Sequence, residues 1–305
     1  MPHVDPLRPG EPDEPRFERI VEFLVRHFSV LPLAQAQRSL CDGTLPAAAA
    51  CITFDDGYAD NLTAAAPILR RHGAPATVFV ATGFTGGTRM FNDSVIEAVR
   101  ALPGGDTDWR EFGLGQHRIT DDASRLELIG EALRDLKYRP PQERAAVAAE
   151  LSHRAGLDGA PPLMLSRSQI FEWRDLGFDV GGHTVNHPIL ARLGDADAAA
   201  EIAAGRDHLR EWLGEAPDVF AYPNGVPGRD YSPRDSELVR RAGYRCAVST
   251  ARGAAARDVD PYQLPRFTPW DRSMWQFGLR CAQTLVEARR DVAGDAIKNN
   301  REVHS

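Results

Sequence analysis

The chain has 305 residues, of which 43% are hydrophobic and 26% charged, and its formal net charge is −7. This is the composition of a globular protein able to bury a sizeable core, and it excludes a collagen, a disordered chain and a disulfide-stapled miniprotein. The acidic balance leaves no basic stripe to neutralise phosphates, so no nucleic-acid partner is expected; nor does any apolar run approach the ~20 residues of a membrane helix, so no transmembrane segment is expected.

The first fifteen residues carry five prolines and four acidic groups and predict an extended lead-in. They contain no apolar h-region, which makes a cytoplasmic location the expectation. Phe17, Ile20, Val21, Leu24 and Phe28 recur at helical spacing and predict an amphipathic helix over 16–28, followed by a short one over 33–40. Residues 48–54 are small and apolar and predict a buried strand that stops at Asp55-Asp56-Gly57. A helix over 60–72 with Gly73 at its C′ position, then a strand over 75–82, completes a parallel βαβ unit. The stretch 84–160 breaks the rhythm with helical segments near 92–102, 122–138 and 142–156 and no convincing strand, and is read as a helical insertion on one loop. Ser166 with Gln169 is a capping box that opens a helix over 167–176. Strands follow at 178–183, 218–222, 244–250 and 262–267, with helices at 195–213, 233–242 and 273–290, and 291–305 reads as a flexible tail. The fold class expected is α/β, one barrel-like domain over 1–305 with its site at the C-terminal ends of the strands. The four cysteines, Cys41, Cys51, Cys246 and Cys281, are widely spaced without a CxxC pair and are expected to be reduced, buried thiols.

Three polar clusters each follow a predicted strand. Thr53-Phe54-Asp55-Asp56-Gly57-Tyr58 puts two carboxylates at a buried strand end, where they need pairing or a cation; an Asp-Gly turn with solvated acids is the plain alternative. Gly181-Gly182-His183-Thr184-Val185-Asn186-His187 holds two histidines four apart, a weak signal for a ligand pair when taken alone. Phe220-Ala221-Tyr222-Pro223-Asn224-Gly225 reads equally as a proline turn. All three at strand ends, in this order, point to a metal site at the barrel mouth. Two histidines and one carboxylate leave coordination positions open, which suits a catalytic ion rather than a structural one.

Thr53–Tyr58 and His183–His187 resemble the first two motifs of the polysaccharide deacetylases, the NodB-homology or carbohydrate esterase 4 family, over about 46–83 and 164–268. The third cluster is similar to the variant seen in exopolysaccharide-type members. The resemblance implies a distorted (β/α) barrel in which Asp56, His183 and His187 hold one divalent metal ion and Asp55 is the general base. The donor set suits Zn2+, with Co2+, Ni2+, Mn2+ or Fe2+ able to occupy it. Asn224 would offer its backbone N–H to the oxyanion, Thr53 and Thr184 would orient the ligands, and Tyr58, Tyr222 and Pro223 would contact substrate. Asp55 would take the proton of a water attacking the amide carbon of an N-acetylated amino sugar, in a polysaccharide or its precursor. A carbohydrate or small acylated molecule is therefore the expected partner.

Two departures stand out. The family's third-motif arginine, which contacts the catalytic aspartate, is replaced here by Ala221, and Arg266 at the end of the last strand is the candidate substitute. The family's late histidine motif is missing, so the general acid is unassigned, with Asp271, His117 and a metal-bound water as candidates. These departures keep open a deformylase or cyclic-amide hydrolase on the same fold, and a catalytically silent glycan-binding protein. Phe91, Asn92, Asp93 and Trp109 in the insertion are candidates to shape the pocket, and the apolar residues Trp270, Trp275, Phe277 and Leu279 are read as core packing.

Overall fold

The computed structural model describes residues 4–87, 89–158, 161–269, 271 and 273–287. Helix α1, Glu14–His27, starts where Asp13 accepts the backbone N–H of Arg16 and buries Ile20 and Val21. Strand β1 (Ser29–Val30), helix α2 (Leu33–Asp42) and strand β2 (Ala49–Ala50) follow, with β1 and β2 paired in parallel. The predicted strand 48–54 is thus divided, since β3 spans only Ile52–Phe54 and pairs elsewhere, with β4. The predicted helix 60–72 begins as a π-helical turn over Asn61–Ala65 and becomes α-helical as α3, Ala66–Arg71, with Gly73 at φ 62°. Strand β4, Ala76–Val80, is buried at every position, as a parallel strand covered on both faces must be.

The insertion contains α4 (Phe91–Ala101), α5 (Asp122–Leu136) and α6 (Pro141–Arg154). It also contains a hairpin the sequence reading lacked, β5 (Gly105–Asp108) paired antiparallel with β6 (Gln116–Ile119). These strands are polar and short, so no apolar alternation announces them. The insertion has its own core, in which Val95, Val99, Trp109, Leu128, Ala132 and Leu136 pack together. Leu7 from the lead-in joins that core, so the lead-in is docked rather than simply extended. Trp109 is 5% exposed and packs within it.

Beyond α7 (Arg167–Asp175), opened by the reciprocal Ser166–Gln169 cap, come β7 (Asp179–Gly182), α8 (Asp195–Leu213), β8 (Val219–Ala221), α9 (Pro233–Arg241), β9 (Cys246–Arg252) and β10 (Leu264–Arg266). The last helix runs over 274–287; Trp270, residues 288–290 of the predicted helix and the tail 291–305 lie outside the described residues. Strands β3, β4 and β7–β10 form one parallel sheet in the order β10-β9-β8-β7-β4-β3. Phe79, Val219, Ala221, Cys246, Val248 and Leu264 fill one side of it together with Leu33 of α2. On the other side α1, α3, α7 and α8 cover Ile52, Ala76, Val78 and Val180. Phe277 is buried against α1, as packing requires, whereas Trp275 and Leu279 are exposed. All four cysteines are free, and Cys41 is exposed, not buried as expected.

Candidate metal centre

The C-terminal ends of β3 and β7 bring Asp56, His183 and His187 together, with candidate ligand atoms all within 4.8 Å of one another. Each histidine Nε2 lies 3.3 Å from Asp56 Oδ1. The tautomer of His183 follows from its other nitrogen. Nδ1 sits 2.7 Å from the carbonyl of Ala221, which can only accept, so Nδ1 carries the proton and Nε2 presents a lone pair. That lone pair faces a carboxylate oxygen that is buried and has no hydrogen-bond partner. Acceptors converging on one buried point with no proton between them fit a cation.

The backbone is bent to make this convergence. Among the described residues, four non-glycine positions have positive φ: Asp56 (71°), Thr184 (65°), His187 (51°) and Asn224 (61°). All four lie in the three clusters found in the sequence. Such conformations cost about 1–3 kcal/mol each for residues with a Cβ, less for Asp and Asn, and persist only where surroundings impose them. The surroundings do. The His187 N–H donates to Thr184 Oγ1, and Glu201 of α8 accepts the N–H groups of Val185 and Asn186 and the Asn186 side-chain amide. A Cβ at Gly181 would lie 2.4 Å from the Phe79 ring, and one at Gly205 would lie 2.9 Å from the Thr184 backbone. Glycine at both positions lets β4 and α8 press against the histidine loop. Glu201 carries no sequence signal; Gly205, a glycine inside a helix, does.

Asp55 is held by a fork. Arg266 Nη1 and Nη2 donate to its two carboxylate oxygens at 2.7 and 2.8 Å, while Nε donates to Ser249 O at 2.9 Å. The arginine absent at position 221 is therefore supplied in space from β10. Burial alone would raise the Asp55 pKa, but Arg266 and the nearby histidines hold it down to about 2. Burial sets His187 low, at about 4, whereas the negative charges of the two aspartates outweigh burial and raise His183. Thr53 Oγ1 lies 3.4 Å from Arg266 and so steadies the fork, while Thr184 shapes the histidine loop. Asn224 has a backbone N–H with no acceptor among the described residues, beside the Ala221 carbonyl that orients His183.

Other expected residues lie elsewhere. Tyr222 is fully buried, stacked on Tyr231 at 3.8 Å, with its hydroxyl donating to Tyr262 O and paired with the Ser236 hydroxyl; its ring points into the core under α8 and α9, away from any contact with substrate. Pro223 is buried as well. Tyr58 stands at the rim, its hydroxyl 3.1 Å from Asp93 Oδ2 and accepting from Asn92 Nδ2 at 3.2 Å. Neither general-acid candidate reaches the centre: His117 bonds Leu114 O within the insertion hairpin, and Asp271 is paired with Arg280 near the last helix.

A profile of the family described as polysaccharide deacetylase matches residues 42–247. The chain belongs to this family. A curated relative named "Putative polysaccharide deacetylase YxkH", from Bacillus subtilis (strain 168), is 21% identical over 215 residues, covering 70% of this chain and 49% of that one. The chain thus spans about half the length of the curated relative it matches. Among solved structures, IcaB from Ammonifex degensii superposes with a TM-score of 0.58 at 19% identity, covering 90% of this chain and 89% of that one. The Streptococcus pyogenes deacetylase PplD, in complex with acetate, gives 0.56 at 20%, covering 84% and 80%. The deacetylase domain of BpsB from Bordetella bronchiseptica gives 0.51 at 16%, covering 81% and 82%. At these identities the likeness carries the fold, a curled parallel half-barrel of the NodB-homology type. No helix among the described residues is long and apolar enough to cross a membrane.

Proposed function

We propose that the chain is a metal-dependent hydrolase that removes the acetyl group from an N-acetylated amino sugar of a polysaccharide or its precursor. The observation that carries this reading is the pairing of a buried three-donor centre at Asp56, His183 and His187 with a separate, ionised Asp55 clamped by Arg266. Binding a glycan would need no such carboxylate beside the ligand set.

A divalent cation held by the three donors, Zn2+ by their chemistry, supplies Lewis acidity to water and to the amide carbonyl. Asp55 is ionised throughout the neutral range and takes the proton of the attacking water as the carbonyl carbon becomes tetrahedral. The Arg266 fork fixes the plane of that carboxylate while leaving each oxygen a further lone pair. The free N–H of Asn224 supports the negative charge developing on the carbonyl oxygen. The C–N bond then breaks, and the leaving nitrogen receives a proton from Asp55. His117 and Asp271 are bound elsewhere, and Asp55, having taken the proton of the water, is placed to return it as the acid.

The test is acetate release, with appearance of a free amine, from N-acetylglucosamine oligomers by protein loaded with Zn2+ or Co2+. Asp55→Asn is expected to lower turnover by about 10²–10⁴-fold with metal content unchanged. Full activity in that variant overturns the mechanism, and release of formate in place of acetate assigns a different acyl group.

A further inference from the structure

We infer that the insertion adds a subsite to this centre in which Arg144 binds an oxyanion, a carboxylate or a phosphate ester, carried on the sugar substrate. The sugar identity rests on the deacetylase reading; the oxyanion rests on the following arrangement.

Arg144, in the first turn of α6, is 8% exposed. Its guanidinium carbon lies 4.6 Å from the centroid of the Phe91 ring. Among the described residues this guanidinium forms no ion pair and no side-chain hydrogen bond. The contrast with Arg8 and Arg266 is sharp, since each of those meets a carboxylate oxygen at 2.8 Å or closer. A desolvated cation without a counterion is costly and calls for one. Burial accordingly lowers the Arg144 pKa, against a weaker pull from Glu201. Glu201 is held instead by Val185 N, Asn186 N and Asn186 Nδ2, and forms no salt bridge to Arg144 among the described residues. Asp93 is likewise committed, to Arg8 and Tyr58.

What lies around Arg144 is built for a ligand. Phe91 is the first residue of α4, whose N-terminus no side chain caps. The next residue, Asn92, donates Nδ2 to the Tyr58 hydroxyl, while its Oδ1 is buried without a partner. Tyr58 stands two residues beyond Asp56. The guanidinium thus sits on Phe91, the uncapped start of α4, whose next residue, Asn92, is bonded to Tyr58 two residues beyond Asp56. The guanidinium fork matches the planar oxygens of a carboxylate or two oxygens of a phosphate ester. The aromatic face of Phe91 backs the guanidinium.

The experiment is calorimetric binding to full-length, Zn2+-loaded protein. The probes are N-acetylglucosamine 1-phosphate, N-acetylmuramic acid and the neutral methyl glycoside of N-acetylglucosamine. Wild type is expected to bind at least one anionic sugar about tenfold or more tightly than the neutral one, and the better anion identifies phosphate or carboxylate as the source. Arg144→Gln is expected to bring the ratio to within about twofold, with neutral-sugar affinity unchanged. A preference that survives in Arg144→Gln belongs to the cation and overturns the inference, as does the absence of any preference in wild type. If Arg144→Gln does not fold, Arg144→Lys decides: it keeps the charge but not the fork, and an affinity equal to wild type for both anions overturns the assignment. Binding is read without turnover, so a protein that releases no acetate yet shows the Arg144-dependent preference refutes the deacetylase reading and keeps the subsite.

Discussion

Arg8 is the counterion of a carboxylate that has no access to water. Its Nη2 lies 2.8 Å from Asp93 Oδ1, and the Asp93 side chain has no exposed surface. Replacing Arg8 by Gln leaves that charge with the Tyr58 hydroxyl at 3.1 Å as its remaining side-chain partner. Breaking a buried pair from one side costs about 3–5 kcal/mol; the surviving hydroxyl bond and the partial exposure of Arg8 place the expected loss near the lower end, about 3 kcal/mol. The pH dependence fixes the sign. Burial raises the Asp93 pKa above 3.8 even though Arg8 and Tyr58 oppose it, and removing Arg8 must raise it further. A group whose native pKa lies above its unfolded value takes up a proton on folding, so the native state gains as the pH falls toward that raised pKa. The deficit of Arg8→Gln relative to wild type should therefore be full at neutral pH and shrink on acidification, as Asp93 becomes neutral. Adding Asp93→Asn should restore much of the loss at neutral pH. Urea denaturation at pH 7.5 and pH 5 with the two single variants and the double variant reads all of this. A loss under about 1 kcal/mol at pH 7.5, or a deficit that grows toward acid, refutes the reasoning.

Arg266→Lys keeps the charge but loses the fork on Asp55, so kcat is expected to fall by about tenfold or more with KM little changed; an unchanged kcat means that the orientation of Asp55 is set by something else. Gly181→Ala places a methyl 2.4 Å from a fully buried Phe79 ring and 2.9 Å from Val219 O, and overpacking of this kind costs about 1–3 kcal/mol. Because His183 lies two residues further on, metal retained after dialysis should fall in the same variant, and wild-type metal content would show that β7 absorbs the strain. Tyr222→Phe removes two buried hydrogen bonds and should cost about 1–3 kcal/mol of stability while leaving KM unchanged, whereas a raised KM would put the ring back in contact with substrate.

The α/β alternation was legible because each central strand is a short apolar run that ends in a polar cluster, and burial at every position of Ala76–Val80 is what such a run encodes. The gathering of Asp56, His183 and His187 was legible for the same reason: two histidines four apart after one strand and adjacent aspartates after another land on the same rim once the strands are parallel. The hairpin of β5 and β6 was not, because GDTD and QHRI alternate no apolar residues and owe their pairing to the turn through Trp109 and Gly115. Tyr222 was misplaced because a motif records neighbours along the chain, whereas the pleat of β8 sends alternate side chains to opposite faces; Ala221 faces the barrel interior and Tyr222 the helices. Arg8 and Asp93 are 85 residues apart, and no local pattern pairs them. The left-handed backbone at Thr184 and His187 was equally hidden, since Glu201 and Gly205 from α8 hold it together with the loop's own His187–Thr184 bond.

The position of Arg266 ties the chemistry to the curvature of the sheet. Asp55 follows β3 and Arg266 ends β10, the two opposite edges of a six-stranded sheet. Laid flat, those edges would be separated by five strand spacings, about 24 Å. An arginine side chain spans far less than that, yet Nη1 lies 2.7 Å from Asp55 Oδ1. The sheet must therefore curl until its edges face each other, and the Arg266 fork is the bond that closes the gap. An arginine at position 221 would instead have to share the barrel interior with Phe79, which is fully buried and already fills the space beside Gly181. A small residue at 221 with the cation moved to the far edge is the arrangement this interior permits. It also makes the charge of Asp55 depend on closure: any change that opens the seam between β3 and β10 withdraws Arg266, and with it the main attraction that holds the Asp55 pKa down.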